Sequence, residues 1–441
     1  MDLNEELITY INAKAKELLF LLKPIIEEKQ KHKTKSNSSI THIPSILIEN
    51  KDIKEITLSQ IDYKGIVISR SFKYKKMNIG LDKSDFYNLR KFIEKLSIRK
   101  KLRNKVSSKF ITDTIFNWFK LNYTGEIDST DDFYSYLKQN IQKSVKSRKV
   151  SIPIENLSIE SPFSIGDVNY DFFRKEFFRK WLEESNNSEH VEKLKNKYQG
   201  KVIASVTIVA EKNMCREIAV DKVEKSLVLL RIFSPTILFD DAIPSFFGRE
   251  GSILLPSCHY FTYNNKFPNL TSSMEVNCNP IRFISNNEIK MLKQDGLDQA
   301  SLLLTKPDLS ELEEKIFKSL YILSRSVLSN NFEEKMIFAL SSIETLLLKD
   351  SNEPIQSNIG RRLAYINSQK PEKREEINKL IKDAYNLRSE FIHHGQQIVE
   401  TEILNKTRHY IFLSFMKIIR LTNKIQTHQE LITQIEHLTW Q

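Results

Sequence analysis

Cysteine is nearly missing from this 441-residue chain: Cys215, Cys258 and Cys278 are its three. They are odd in number and show no CxxC spacing, which argues against both a disulfide framework and a cysteine zinc site. Glycine (10) and proline (12) are also sparse, against a usual combined share of about 12%. Long helices fit such a composition better than turn-rich sandwiches. No apolar run reaches the roughly 18 residues that a membrane span needs. The N-terminus carries Asp2, Glu5 and Glu6 and no apolar signal core, so a reducing cytoplasm is the expected location. Walker A, G-x-G-x-x-G and H-E-x-x-H patterns are all absent, and no metal or other cofactor is expected.

What the chain does have is positive charge. Its 67 Lys+Arg exceed 56 Asp+Glu, a net +11. A basic excess suits a polyanion, and nucleic acid is the commonest soluble one. A Lys/Asn/Ile-rich composition also yields such a charge without any partner. Two runs are dense in cations. One is Arg99–Lys109, with Arg99, Lys100, Lys101, Arg103 and Lys105 as candidate RNA contacts; the other gathers Lys143, Lys146, Arg148 and Lys149. Either could be a nucleic-acid track or a solvated helix face.

The length accommodates about three domains. Apolar spacing predicts a helix over 4–30, kinked at Pro24, then short strands at 43–48, 53–58 and 65–72. A helix capped by Asp82 or Ser84 should follow through Leu96, and another over 133–145. Pro153 and Pro162 suggest a boundary near 149–162. Aromatic residues at helical spacing (Tyr170, Phe173, Phe177, Trp181) predict a helix over 170–184 and read as core, as does Trp118. Val202–Ala210 is the best strand; a helix around 215–232 comes next, with strand and loop material to about 285. From Ser310 the pattern is helical throughout: 310–329, 333–349, 356–368, 371–394, 400–422 and 427–438. Pro354 and Pro371 stand where helices should begin, and Gly395 where one should stop. The expected fold class is α+β, predominantly helical. Residues 1–150 form a helical and β region with the basic runs, 151–305 a mixed α/β region, and 306–441 an all-α bundle.

The most informative segment is Leu387–Gly395, LRSEFIHHG. An arginine five and six residues ahead of two histidines supplies a permanent phosphate clamp and a group that exchanges protons near neutral pH. On the helix over 371–394, Ile377, Leu380, Ile381, Ala384, Leu387 and Phe391 form an apolar stripe with Arg388 adjacent to it. At about 100° per residue, His393 lies about 140° round from Arg388, and His394 about 120° the other way. They converge with the arginine only if the helix loosens near Gly395 or if a second subunit supplies one partner.

This segment resembles the R-x4-6-H motif of HEPN domains. Tyr385, Leu387–Ser389 and Ile392–Gly395 are similar to the ApeA-like branch, Y-x-x-R-S-x-(apolar)-(apolar)-H-G. Phe338–Leu340 and Ile343–Leu347 resemble its A-L-x-x-(apolar)-E-x-L-L helix, and Arg361, Arg362 and Leu363 its basic third helix. The resemblance covers about 310–425. It implies an antiparallel dimer of bundles and a metal-independent endoribonuclease, regulated as a toxin or effector in bacterial anti-phage defence. It further implies RNA as substrate, and a partner protein or phage trigger. In that reading His393 is the acid or base, Arg388 holds the scissile phosphate, and His394, Ser389 and Glu344 support them. The chain departs from the pattern in its second histidine, His394, which abuts the glycine; His393 keeps the four-residue spacing.

Plainer readings compete. Arg388 could serve only as an ion-pair partner of Glu344, and the histidines could be a polar helix end. The bundle could serve a non-catalytic RNA-binding or scaffolding protein as a dimerisation module, or the basic runs could contact duplex DNA. Pro307-Asp308 followed by Glu313 and Lys315 is too tightly spaced for a PD…ExK nuclease, and Asp240-Asp241 lacks a third ligand.

Overall fold

A computed structural model describes residues 4–25, 57–61, 66–75, 77–99, 102–127, 132–174, 176, 188–234, 247–249, 260–264, 267–271, 281–306, 308–329, 331–350, 352–397 and 401–439. The fold is α+β and predominantly helical. The chain divides into two compact units: Met1–Arg148 with Ile208–Ile218, and Lys149–Thr207 with Ala219–Gln441.

The first unit lays four helices around an antiparallel sheet. The helices are Glu5–Phe20, Lys83–Ser97, Ser108–Thr124 and Phe133–Ser144, and the sheet order is Lys23–Pro24, Met77–Leu81, Val67–Tyr74, Thr57–Ile61. Its core gathers Ile11, Leu18, Phe72, Leu89, Trp118, Phe119 and Phe133. The helix expected over 4–30 stops at Phe20. Lys23–Pro24 instead pairs with Ile79 and Gly80 at the sheet edge, a place where proline's missing N–H costs nothing. The strand expected over 43–48 lies outside the described residues.

Short polar side chains start the helices. The Asp82 carboxylate accepts from Asp85 N at 3.0 Å, and Ser107 Oγ accepts from Phe110 N at 3.1 Å. Glu211 binds the 208–218 segment to this unit. Its carboxylate accepts from Ser107 Oγ at 2.5 Å and Ser107 N at 3.2 Å, and from Asn213 N and Met214 N at 2.8 Å. Burial pushes this carboxyl up, but the Ser107 hydroxyl and the backbone N–H groups outweigh it and hold the group below the usual carboxylate range. Glu211 thus caps the helix Lys212–Phe233, where the positive end of the peptide dipoles favours an anion.

A five-stranded sheet is ordered Gly248–Arg249, Lys146–Glu155, Val202–Ala210, Val168–Phe172, Phe163–Ile165, and its residues within 149–207 share one core with the C-terminal helices of the second unit. That core runs from Ile154 and Tyr170 through Leu304 to Leu340 and Leu431, so residues 149–305 and 306–441 are not separate here, whereas the sequence reading drew a boundary at 305. Tyr170 belongs to a strand rather than to the expected helix over 170–184. It faces Ala204 across the ladder and exchanges a 2.7 Å hydrogen bond with Ser226. Phe177 and Trp181 lie outside the described residues. Helices Asn286–Leu292 and Asp298–Thr305, separated by a kink at Gly296 (φ 115°), occupy a stretch before 310 where the sequence pattern predicts no helix.

Six helices follow: Glu311–Leu328, Phe332–Leu347, Ile355–Asn367, Pro371–His394, Thr401–Leu421 and His428–Thr439. The first two pack along each other, as do the next two, and the 401–421 helix lies against the middle three. Ser310 and Glu313 form a capping box at the first of these helices. Glu313 is thereby committed to structure, because its carboxylate also binds Lys306 at 2.5 Å.

Candidate active site

Helix Pro371–His394 is built to stop where it does. Pro371 occupies its first turn, and Gly395 ends it in the left-handed conformation (φ 66°), which glycine adopts without strain. Gly395 N donates to Phe391 O at 2.9 Å. The helix is continuous through His394, so it does not loosen ahead of Gly395.

Ile377, Ile381, Ala384 and Tyr385 are the buried face of this helix. Arg388 stands on that face, in line with Ile377 and Ile381 at spacings of eleven and seven residues, rather than beside the stripe. Its side chain keeps 27% exposure and meets Glu344, which is 17% exposed, on the facing Phe332–Leu347 helix. Arg388 Nη1 donates to Glu344 Oε1 at 3.1 Å, and Tyr385 Oη donates to the same oxygen at 2.8 Å. A part-buried carboxylate needs such donors. Burial and the Glu344 charge push the Tyr385 phenol well above its ordinary range, so it remains a neutral donor. Arg388 Nε is buried with no hydrogen-bond partner.

Ser389, His393 and His394 are exposed. The two imidazoles sit edge to face, with centroids 6.5 Å apart. With the helix regular to its end, the angular offsets of about 140° and 120° stand, so neither ring stacks on the Arg388 of its own chain. The structure therefore joins Arg388 to Glu344 and leaves the histidines at the open helix end.

Tyr385 is the participant whose role composition did not reveal. Its position three residues before Arg388 and its polar tip on a buried face were the available signals. Arg362, by contrast, is structural. It is 1% exposed and reaches Leu347 O at 2.7 Å, Glu353 at 2.6 and 2.9 Å and Glu436 at 2.8 Å. Of the basic run, Arg99, Arg103 and Lys105 are exposed, and Lys100 and Lys101 lie outside the described residues. Trp118 is core at 1% exposure. Among the described residues no group of three or more His, Cys, Asp or Glu could hold a metal ion, and no helix is long and apolar enough to cross a membrane. Cys215 is buried, with Sγ 3.3 Å from Ala210 O; Cys258, Cys278 and Asp240-Asp241 lie outside the described residues. No family model, curated protein or solved structure matches the chain.

Proposed function

We propose that the chain is a metal-independent endoribonuclease of HEPN type, assembled from two copies so that the imidazole of one faces the arginine of the other. The observation that carries this reading is Arg388 itself. Its guanidinium is anchored by Glu344, which Tyr385 anchors in turn, yet the side chain keeps 27% exposure, and the same helix ends in an exposed histidine pair. A guanidinium has five N–H donors in a fixed fork, and the Glu344 bond uses one of them. Nε is buried, and the remaining Nη donors suit the non-bridging oxygens of a phosphate.

The reaction follows from these groups. His393 accepts the proton of a ribose 2′-hydroxyl, and the freed oxygen attacks the adjacent phosphorus. Negative charge gathers on the non-bridging oxygens, where Arg388 stabilises it. The bond from phosphorus to the 5′-oxygen breaks, and a protonated imidazole returns a proton to that leaving oxygen. The products are a 2′,3′-cyclic phosphate and a 5′-hydroxyl end. Because the imidazoles point away from their own arginine, a twofold pairing of helix ends is the arrangement that completes the site.

The rival reading is a scaffold in which Arg388 serves only its ion pair with Glu344. Purified protein incubated with mixed RNA and excess EDTA separates the two. We expect cleavage to 2′,3′-cyclic ends, reduced by about two to four orders of magnitude in His393→Ala and abolished in Arg388→Ala. Unchanged cleavage in both variants would eliminate the site, and no cleavage by the unaltered chain would favour the scaffold.

A further inference from the structure

The positive charge of this protein belongs to one unit. Residues 1–148 hold 29 Lys+Arg and 18 Asp+Glu, and residues 208–218 add two of each. The second unit is left with 36 of each. The whole net +11 therefore lies in the first unit, and the unit that carries Arg388 is neutral overall.

Within the first unit the cations are ordered. Lys83, Tyr87, Lys91, Lys95 and Arg99 recur at every fourth position on the helix Lys83–Ser97 and the turn that follows it. All five are exposed. Successive members lie about 6 Å apart along the axis and drift about 40° round it. The opposite face, Phe86, Leu89, Phe92, Ile93 and Leu96, is buried. Beyond the helix, Arg103 N donates to Arg99 O at 2.8 Å, a turn that carries the row on to the exposed Arg103 and Lys105 while Leu102 and Val106 are fully buried. Lys91 Nζ stands 4.5 Å over the Tyr87 ring. The one acidic side chain on this face, Glu94, lies 3.8 Å from Arg90.

We propose that this row is a docking surface for the backbone of single-stranded RNA, read by charge and not by sequence. Charge complementarity selects a polyanion. A membrane surface is disfavoured because an interfacial helix must bury its apolar face in lipid, and here that face is already the core of the unit. Tyr87 supplies a ring for base stacking. The choice of RNA rests on the reaction proposed above; the charge row does not.

The test is fluorescence anisotropy of the full-length chain with a labelled oligouridylate across a salt series. The comparison is with the triple variant Lys91→Gln, Lys95→Gln, Arg99→Gln, whose substitutions all lie on the outward face. We expect the variant to bind at least about tenfold more weakly and the slope of log affinity against log salt to fall by about 2, since each single-strand phosphate contact contributes about 0.7. Unchanged affinity and slope in a variant that melts normally would overturn the proposal. So would wild-type binding to phosphatidylserine vesicles that the RNA fails to displace. Failure of the nuclease reading looks different: salt-sensitive binding would be lost in the triple variant while no version of the chain cleaves.

Discussion

Some polar residues of the second unit are buried against matched partners. His428 is one such residue. Lys315 carries donors alone, so at 2.9 Å the imidazole Nδ1 must accept from its ammonium, and Nε2 must donate to Leu346 O at 2.9 Å. That fixes a neutral ring. Burial lowers its pKa, and the Lys315 charge lowers it further, against the opposing pull of the Leu346 carbonyl. The unfolded chain therefore binds a proton at His428 more readily than the native one. The stability this contact provides is complete above the ordinary histidine value of about 6.5 and is lost as pH falls below it. The melting temperature should drop between about pH 7.5 and about pH 5.5, and His428→Gln should flatten that drop. An equal pH dependence in the variant would show that the charge is accommodated elsewhere. Glu344 is satisfied by the same logic, except that its donors sit where solvent can reach one of them. A carboxylate shared by Tyr385 and Arg388 holds the arginine through Nη1 alone, which distinguishes it from Arg362, whose Nη1 and Nη2 bind two carboxylates and a carbonyl.

Among the elements, the 371–394 helix depends on its final residue. A Cβ at Gly395 would meet nothing within 4 Å, so the only penalty for alanine there is the left-handed backbone. Gly395→Ala should destabilise by about 1 kcal/mol in denaturant titration. Gly395→Asn should cost less, because asparagine tolerates that conformation. Equal losses would point to a steric cause. This helix also shows how far the sequence could be read. Its ends were legible because Pro371 and Gly395 mark them chemically, and the capping pair Ser310 and Glu313 marks the 311–328 helix in the same way. Tyr170 misled, because aromatic residues three or four apart suggest a helix, whereas its strand is specified by pairing with 202–210, some thirty residues away. The Arg388–Glu344 pair was legible through the resemblance of the two helices to a known motif and through the need of a buried carboxylate for a cation, not through spacing. The place of Arg388 on the buried face was obscured by its charge, which reads as surface until the carboxylate across the interface is known.

At the scale of the whole molecule, the division into two cores coincides with a division of charge that total composition conceals. An excess of +11 confined to residues 1–148 and 208–218 must repel itself within a compact body, and that repulsion opposes folding. The second unit, with 36 charges of each sign, has no such excess. Salt screens the repulsion, with a Debye length of about 10 Å at 0.1 M, so the first unit alone should gain stability on moving from about 0.05 M to about 0.5 M sodium chloride. Trp118 lies in the core of the first unit, so it reports that unit alone once Trp181 and Trp440 are replaced. In a Trp181→Phe, Trp440→Phe chain, the fluorescence melting midpoint should rise with salt. The same salt dissolves the contacts proposed for RNA on Lys91, Lys95 and Arg99, so stability of the first unit and its affinity for RNA should move in opposite directions along one salt series. A midpoint that stays level across the series would mean that charge repulsion is not what limits the first unit.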